Sequence, residues 1–235
     1  VLFASLRVVF VVKYWSLVTL DEIPFVEIIK GFWSALPLDI ATISFMLALP
    51  AIYMFVSYFI DKDTLFAPLR WFFYLLIAAY NFAAFGDIGI YGEWRTKLSY
   101  RAIQYLQSPS EVINTAETEQ SLLLIVLWSV FTVLFCWLYT RFVEPKALDV
   151  NKEEPKVNIF VLAGSFVLTL GVIFLGMRGG LNDIPITSSK VYYSSHKIAN
   201  EMCVNPAYYL IENTLNSKLV ESKAHFNYMD FDSAK

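Results

Sequence analysis

The sequence predicts an all-α integral membrane protein with five transmembrane helices, two interfacial amphipathic helices and a helical extracytoplasmic tail. Three observations carry that prediction. Hydrophobic side chains make up 57% of the 235 residues, against ~45–50% in a soluble domain. Five apolar runs fill most of the chain, and four approach the ~20 residues that a helix needs to cross a ~30 Å hydrocarbon core. Lys and Arg are denser in alternate connections, as they are in polytopic proteins. The net charge of −3 supplies no concentrated basic face for nucleic acid.

The first run, residues 1–12, begins inside apolar sequence at Val1 and reads as a span cut short. The others cover residues 38–60, 71–90, 121–139 and 157–177. Pro50 should bend the second, a distortion that membrane helices tolerate because neighbours satisfy the freed carbonyl. Between the first two runs, PFVEIIKGFWSAL repeats apolar residues at helical spacing: Phe25, Ile28, Ile29, Phe32, Trp33 and Leu36. Glu27, Lys30 and Ser34 lie opposite. Pro24 can open that helix and Pro37 should end it, so it should lie in the interface. EWRTKLSYRAIQYL repeats the pattern, with Trp94, Leu98, Ala102, Tyr105 and Leu106 against Arg95, Lys97 and Arg101, and SPSE after it as a breaker.

The loop after the second run holds Lys62 and Arg70, and the loop after the fourth holds Arg141, Lys146, Lys152 and Lys156. Both are assigned to the cytoplasm, which turns the amphipathic helices and everything after Met177 outward. Residues 1–177 then form the membrane domain and residues 178–235 an extracytoplasmic helical linker. Within that linker IPITSS precedes KVYYSSHKIANEM, and Asn205-Pro206 opens AYYLIENTLNSKL. A tail this short is expected to bury little surface by itself. Since the chain also closes in polar HFNYMDFDSAK, the linker is expected to lead to a further domain.

No HExxH, CxxC, GxSxG, Walker loop or GxGxxG occurs, so the signatures of zinc proteases, redox dithiols, α/β-hydrolases and nucleotide binders are absent. His196 and His225 stand alone in the tail. Cys136 in a span and Cys203 in the tail are read as free thiols. Catalytic and metal residues in this chain are none, and so are cofactors.

The informative polar residues sit at span ends. Asp39 opens an inward span, Asp87 nears the end of an outward one, and Arg178 closes the last, so the three should share one interface. A carboxylate near the headgroups costs less than the ~2.5–3.5 kcal/mol of the bilayer centre, so local hydrogen bonds or an Asp–Arg pair would account for these residues. The functional reading is a pocket for a lipid headgroup, with Glu93, Arg95 and Arg101 nearby and the arginines binding phosphate. Arg178-Gly179-Gly180 is also explained as a helix C-cap with a cation at the negative end of the dipole. Tryptophans 15, 33, 71 and 94 form an interfacial belt, and Asn81 should bond a neighbouring helix.

Three stretches together resemble the membrane half of the lipoteichoic acid synthase family of sulfatase-like phosphoglycerol transferases. They are GFWSALPLDIATISFMLALP at 31–50, GDIGIYGEWRTKLSYRAIQYLQSPSEV at 86–112 and MRGGLNDIPITSSKVYYSSHKIANEMCVNPAYYL at 177–210, and the loop aromatics look like Bacteroidetes-type variants. The resemblance implies a five-helix domain in the bacterial cytoplasmic membrane, followed by an extracellular domain of alkaline-phosphatase type. In that family the outer domain carries a divalent metal, commonly Mn2+, and a threonine nucleophile acting on phosphatidylglycerol. Membrane lipid, phosphatidylglycerol or another phospholipid, is the implied partner. The alternative from the residues alone is a free-standing polytopic protein, such as a small transporter or envelope assembly partner. That reading wants charges near mid-span, and Asn81 and Arg7 come nearest.

Overall fold

The computed structural model describes residues 1–57, 59, 66–105, 118–144 and 158–223. Among these every regular element is a helix, with no strand. The elements are α1 (Leu2–Lys13), α2 (Trp15–Leu20), α3 (Phe25–Ser34), α4 (Leu36–Ser57), α5 (Phe66–Trp94), α6 (Tyr100–Tyr105), α7 (Thr118–Leu138), α8 (Ile159–Arg178), α9 (Lys197–Cys203) and α10 (Pro206–Lys223). A π-helical turn, Tyr139–Val143, extends α7, and a 3-10 turn, Ser188–Val191, precedes α9.

Four helices among the described residues are long and apolar enough to cross a bilayer: Phe25–Val56, Pro68–Trp94, Glu119–Val143 and Ile159–Arg178. Length and composition therefore define an α-helical membrane protein. The first expected span corresponds to α1, whose 12 residues reach only about 18 Å at 1.5 Å per residue. It lies against the upper half of α5, with the Phe3 and Tyr80 ring centroids 4.4 Å apart and those of Phe10 and Tyr91 5.0 Å apart.

The spans pack as two antiparallel pairs, α4 with α8 and α5 with α7. Hydrophobicity does not drive helices together inside lipid, so close approach must come from small residues and polar contacts. Gly176 of α8 lets α4 come so near that any Cβ there would collide with Ser44 Oγ. Gly89 of α5 does the same for Leu124 of α7, at 2.8 Å. Asn81 Nδ2 donates to Thr132 Oγ1 across the second pair at 3.3 Å, as its position in the span suggested. At the far end Arg70 Nε donates to Glu144 Oε1 at 2.7 Å and Tyr74 pairs with Thr140.

Two expectations about the connections change. The α3 helix does open after Pro24 and stop before Pro37, but Pro37 also lies in the first turn of α4, where its missing N–H costs nothing. Residues 93–105, the described part of the second amphipathic stretch, are not one helix. Glu93 and Trp94 complete α5, Arg95 takes a left-handed φ of 52°, and the chain turns back before α6. Lys97 and Leu98 are both buried, in the non-helical turn between α5 and α6.

The tail departs furthest from expectation. Ile186, Val191, Ile198, Ala199, Met202, Cys203 and Val204 are buried in the same core as α1, α3 and α5. Gly179 (φ 80°) closes α8, with the Gly180 amide bonding the Leu175 carbonyl, and Ile186 packs where a Cβ on Gly179 would stand. In α9, residues 198, 199, 202 and 203 form one helical face, which meets Gly31 of α3 at a distance no larger residue would allow. The tail buries surface because three membrane-proximal helices supply the other half of its core.

Candidate functional site

Two buried ion pairs organise the end of the bundle where the tail docks. In the first, Arg7 Nη1 and Nη2 donate to the two carboxylate oxygens of Asp39, each at 2.7 Å. Such a bidentate fork fixes geometry as well as charge. Asp39 lies in the first turn of α4, where the helix dipole favours an anion. Asn205 Nδ2 adds a third donor to Asp39 Oδ1 at 2.9 Å, and its own Oδ1 accepts from the Tyr208 amide at 3.3 Å. Asn205 thus caps α10, with Pro206 at the first helical position, while reading the charge on α4. Arg7 Nε donates to the Met202 carbonyl at 3.2 Å.

In the second pair, Lys97 Nζ donates to Asp87 Oδ2 at 2.5 Å and the Leu98 amide donates to Asp87 Oδ1 at 2.8 Å. Asp87 is 2% exposed and Lys97 3%, so neither charge has water to screen it. The Lys97 ammonium also lies 5.3 Å from the Phe10 ring centroid. Asp87 is what draws the return loop after α5 inward. Tyr14 reinforces the same junction by donating to the Ile88 carbonyl.

Between the pairs lies a small cavity lined by Arg7, Asp87, Lys97, Tyr80, Met202 and Pro206 among others, with about 20 Å³ of free space. That holds a water molecule, not a headgroup. Glu201 of α9 stands near the second pair, and its Oε2 is buried with no hydrogen-bond partner among the described residues. Burial raises its pKa against the pull of Lys97 and Lys197. Cys203 is likewise pushed up to about 12 by burial. No three His, Cys, Asp or Glu side chains among the described residues gather as metal ligands would.

Of the residues read as a headgroup site, Asp39 and Asp87 are brought to the two sides of this cluster, each already neutralised. Arg178 does not join them: it donates to the carbonyls of Asn182 and Asp183 in its own loop at 2.8 and 3.0 Å. Glu93, Arg95 and Arg101 are exposed. The Arg95 carbonyl accepts from Lys197 at 2.7 Å, another strap between tail and loop. The partners Arg7, Lys97 and Asn205 went unpaired in the sequence reading. Arg7 carried a signal, as a lone cation in an apolar run, and Asn205 carried one as an Asn-Pro helix start.

Set beside known proteins, the chain matches no family model, no curated protein and no solved structure. The fold and this cluster define its class: a helical membrane protein whose tail is locked onto its spans by buried charge.

Proposed function

We propose that the chain is the membrane module of a sulfatase-like phosphoglycerol transferase, mounting a catalytic domain at a fixed height over the lipid surface. The carrying observation is the lock formed by Arg7, Asp39 and Asn205. Simple tethering needs one span and a loose linker. Here the chain leaves the last span, returns to the first helix 195 residues back, and starts α10 from a capped, buried asparagine. An enzyme that takes its donor from the bilayer gains from such a mount, because orientation at the lipid surface does part of its work. The three stretches that resemble the transferase family support the particular chemistry, with phosphatidylglycerol or another phospholipid as donor.

In this proposal the membrane is the bacterial cytoplasmic one, α1 belongs to a fifth span, and the tail is extracytoplasmic. Asp39 and Asp87 hold the mount together, while the exposed Arg95 and Arg101 are the groups open to lipid phosphate. A free-standing transporter would need charges facing a path, and Arg7 is instead saturated by Asp39 and the backbone carbonyls of Met202 and Cys203. The experiment is lipid turnover by the full-length polypeptide in membranes supplied with acyl-labelled phosphatidylglycerol. Labelled diacylglycerol should appear, and should fall in Arg95→Ala and Arg101→Ala at unchanged membrane abundance. No diacylglycerol above membranes lacking the protein would overturn the proposal.

A further inference from the structure

The helices α2 and α3 bury one face against α1 and α9 and leave the other bare. Leu20 is 75% exposed, Phe25 66% and Trp33 72%. The bare face does not stop at the joint between α3 and α4. Val26, Ile29, Trp33, Leu36, Ile40, Ile43 and Leu47 recur at alternating intervals of three and four, all exposed, in one stripe about 32 Å long at 1.5 Å per residue. A soluble surface rarely shows so long an apolar strip without something to cover it.

The depth of α3 says what covers it. Ile28 lines a cavity with Phe10 and Val11 of α1, and Phe10 stacks edge-on against Tyr91 of α5. The middle of α3 is therefore two side-chain contacts away from Tyr91 of α5. Leu124 of α7 meets Gly89 of α5, and its neighbours Leu122, Leu123, Ile125 and Val126 are exposed in a helix long and apolar enough to cross a bilayer. Lipid that bathes that part of α7 reaches the height of α3. Lys13 at the end of α1 and Lys30 of α3 are exposed, and their long side chains can carry charge toward the headgroups.

We propose that the bare face of α2 and α3 is sunk in the acyl-chain layer of the bilayer leaflet at the tail end, with lipid as its occupant. The stripe continues the lipid-facing surface of α4, and the Arg7–Asp39 pair then lies beneath the membrane surface. The proposal rests on the membrane reading of the four long helices and is independent of the enzymatic one.

The test uses Ile29→Cys in a Cys136→Ala background, labelled with a polarity-sensitive maleimide dye and reconstituted in phosphatidylcholine and phosphatidylglycerol vesicles. Burial keeps the Cys203 thiol protonated, so it stays unlabelled. Dye at position 29 should be quenched several-fold more by bromine on the acyl chains than by aqueous iodide, like dye at Val130→Cys on α7. In the otherwise natural chain, Trp33→Phe should remove part of the bromolipid-quenchable tryptophan emission. Iodide quenching without bromolipid quenching would put the face in water and overturn the proposal. Protection from both, with cross-links between copies through Ile29→Cys, would make the occupant a second copy and overturn it equally.

Discussion

Replacing Arg7 by Met removes one half of a buried, bidentate pair and leaves the Asp39 carboxylate with Asn205 as its remaining side-chain donor. Breaking a buried pair from one side costs about 3–5 kcal/mol, because a charge is stranded out of water. Asp39→Leu should cost a similar amount, stranding the guanidinium and the Asn205 amide. The double variant strands no charge. It still leaves the Met202 carbonyl and the Asn205 Nδ2 short of a partner, at about 1–3 kcal/mol for each unsatisfied group, so it should cost about 2–6 kcal/mol. Additive single losses would give about 6–10 kcal/mol. The assay is unfolding in mixed micelles by titration with a denaturing detergent, run beside protease cleavage of the tail at Ser194 to Lys197. The single variants should expose the tail by orders of magnitude in rate, since about 4 kcal/mol is a thousandfold. A double variant whose loss equals the sum of the singles within ~0.5 kcal/mol would refute the claim that these two charges act as a unit.

Lys97→Met strands Asp87 in the same manner and should cost about 3–5 kcal/mol, with faster hydrogen exchange at the Leu98 amide as its local sign. Gly176→Ala should loosen α4 from α8 by about 1–3 kcal/mol, and Ser44→Gly in the same chain should restore most of it, read by the detergent titration. Gly179→Ala puts a side chain at φ 80° and against Ile186, so it should destabilise the tail by more than about 1 kcal/mol, seen as faster proteolysis after Arg178. Glu201 has a pKa raised by burial, so the folded state binds its proton more tightly than the unfolded chain does. Its contribution is complete below the unfolded carboxyl pKa and is lost as pH rises through the folded value. Stability should therefore gain from this group as pH falls from neutrality, and Glu201→Gln should remove that gain in unfolding measured across pH.

What was legible in the sequence follows from which solvent wrote it. Lipid imposes long apolar runs, so the four long helices were legible as runs, although the structure carries the first back to Phe25 and lengthens the next two at both ends, and Pro24 and Pro37 bracketed α3 correctly. The charged cluster was legible only in halves. Asp39 and Asp87 stood out at span ends, but their partners lie elsewhere in the chain, and nothing local says that Arg7 must meet the end of α9. Arg178 is the natural cation by depth, yet it is occupied with its own C-cap loop. The stretch around Lys97 misled for a definite reason. Residues 94, 98, 102 and 105 happen to keep helical spacing, and the pull of Asp87 on two adjacent residues overrode it.

The long reach from Arg7 to the tail also orders events during biosynthesis. Arg7 and Asp39 are 32 residues apart and can pair once the first hairpin has been made. The carbonyl of Met202 lies 195 residues after Arg7, so it is made 163 residues after Asp39, roughly 8–33 s later at ~5–20 residues per second. Through that interval the Asp39 carboxylate waits without Asn205, and the core face of α3 waits without α9. Closure by the tail is therefore the last step of assembly, and a chain whose spans are inserted wrongly cannot complete it. The buried asparagine serves as a record that every span before it has found its place.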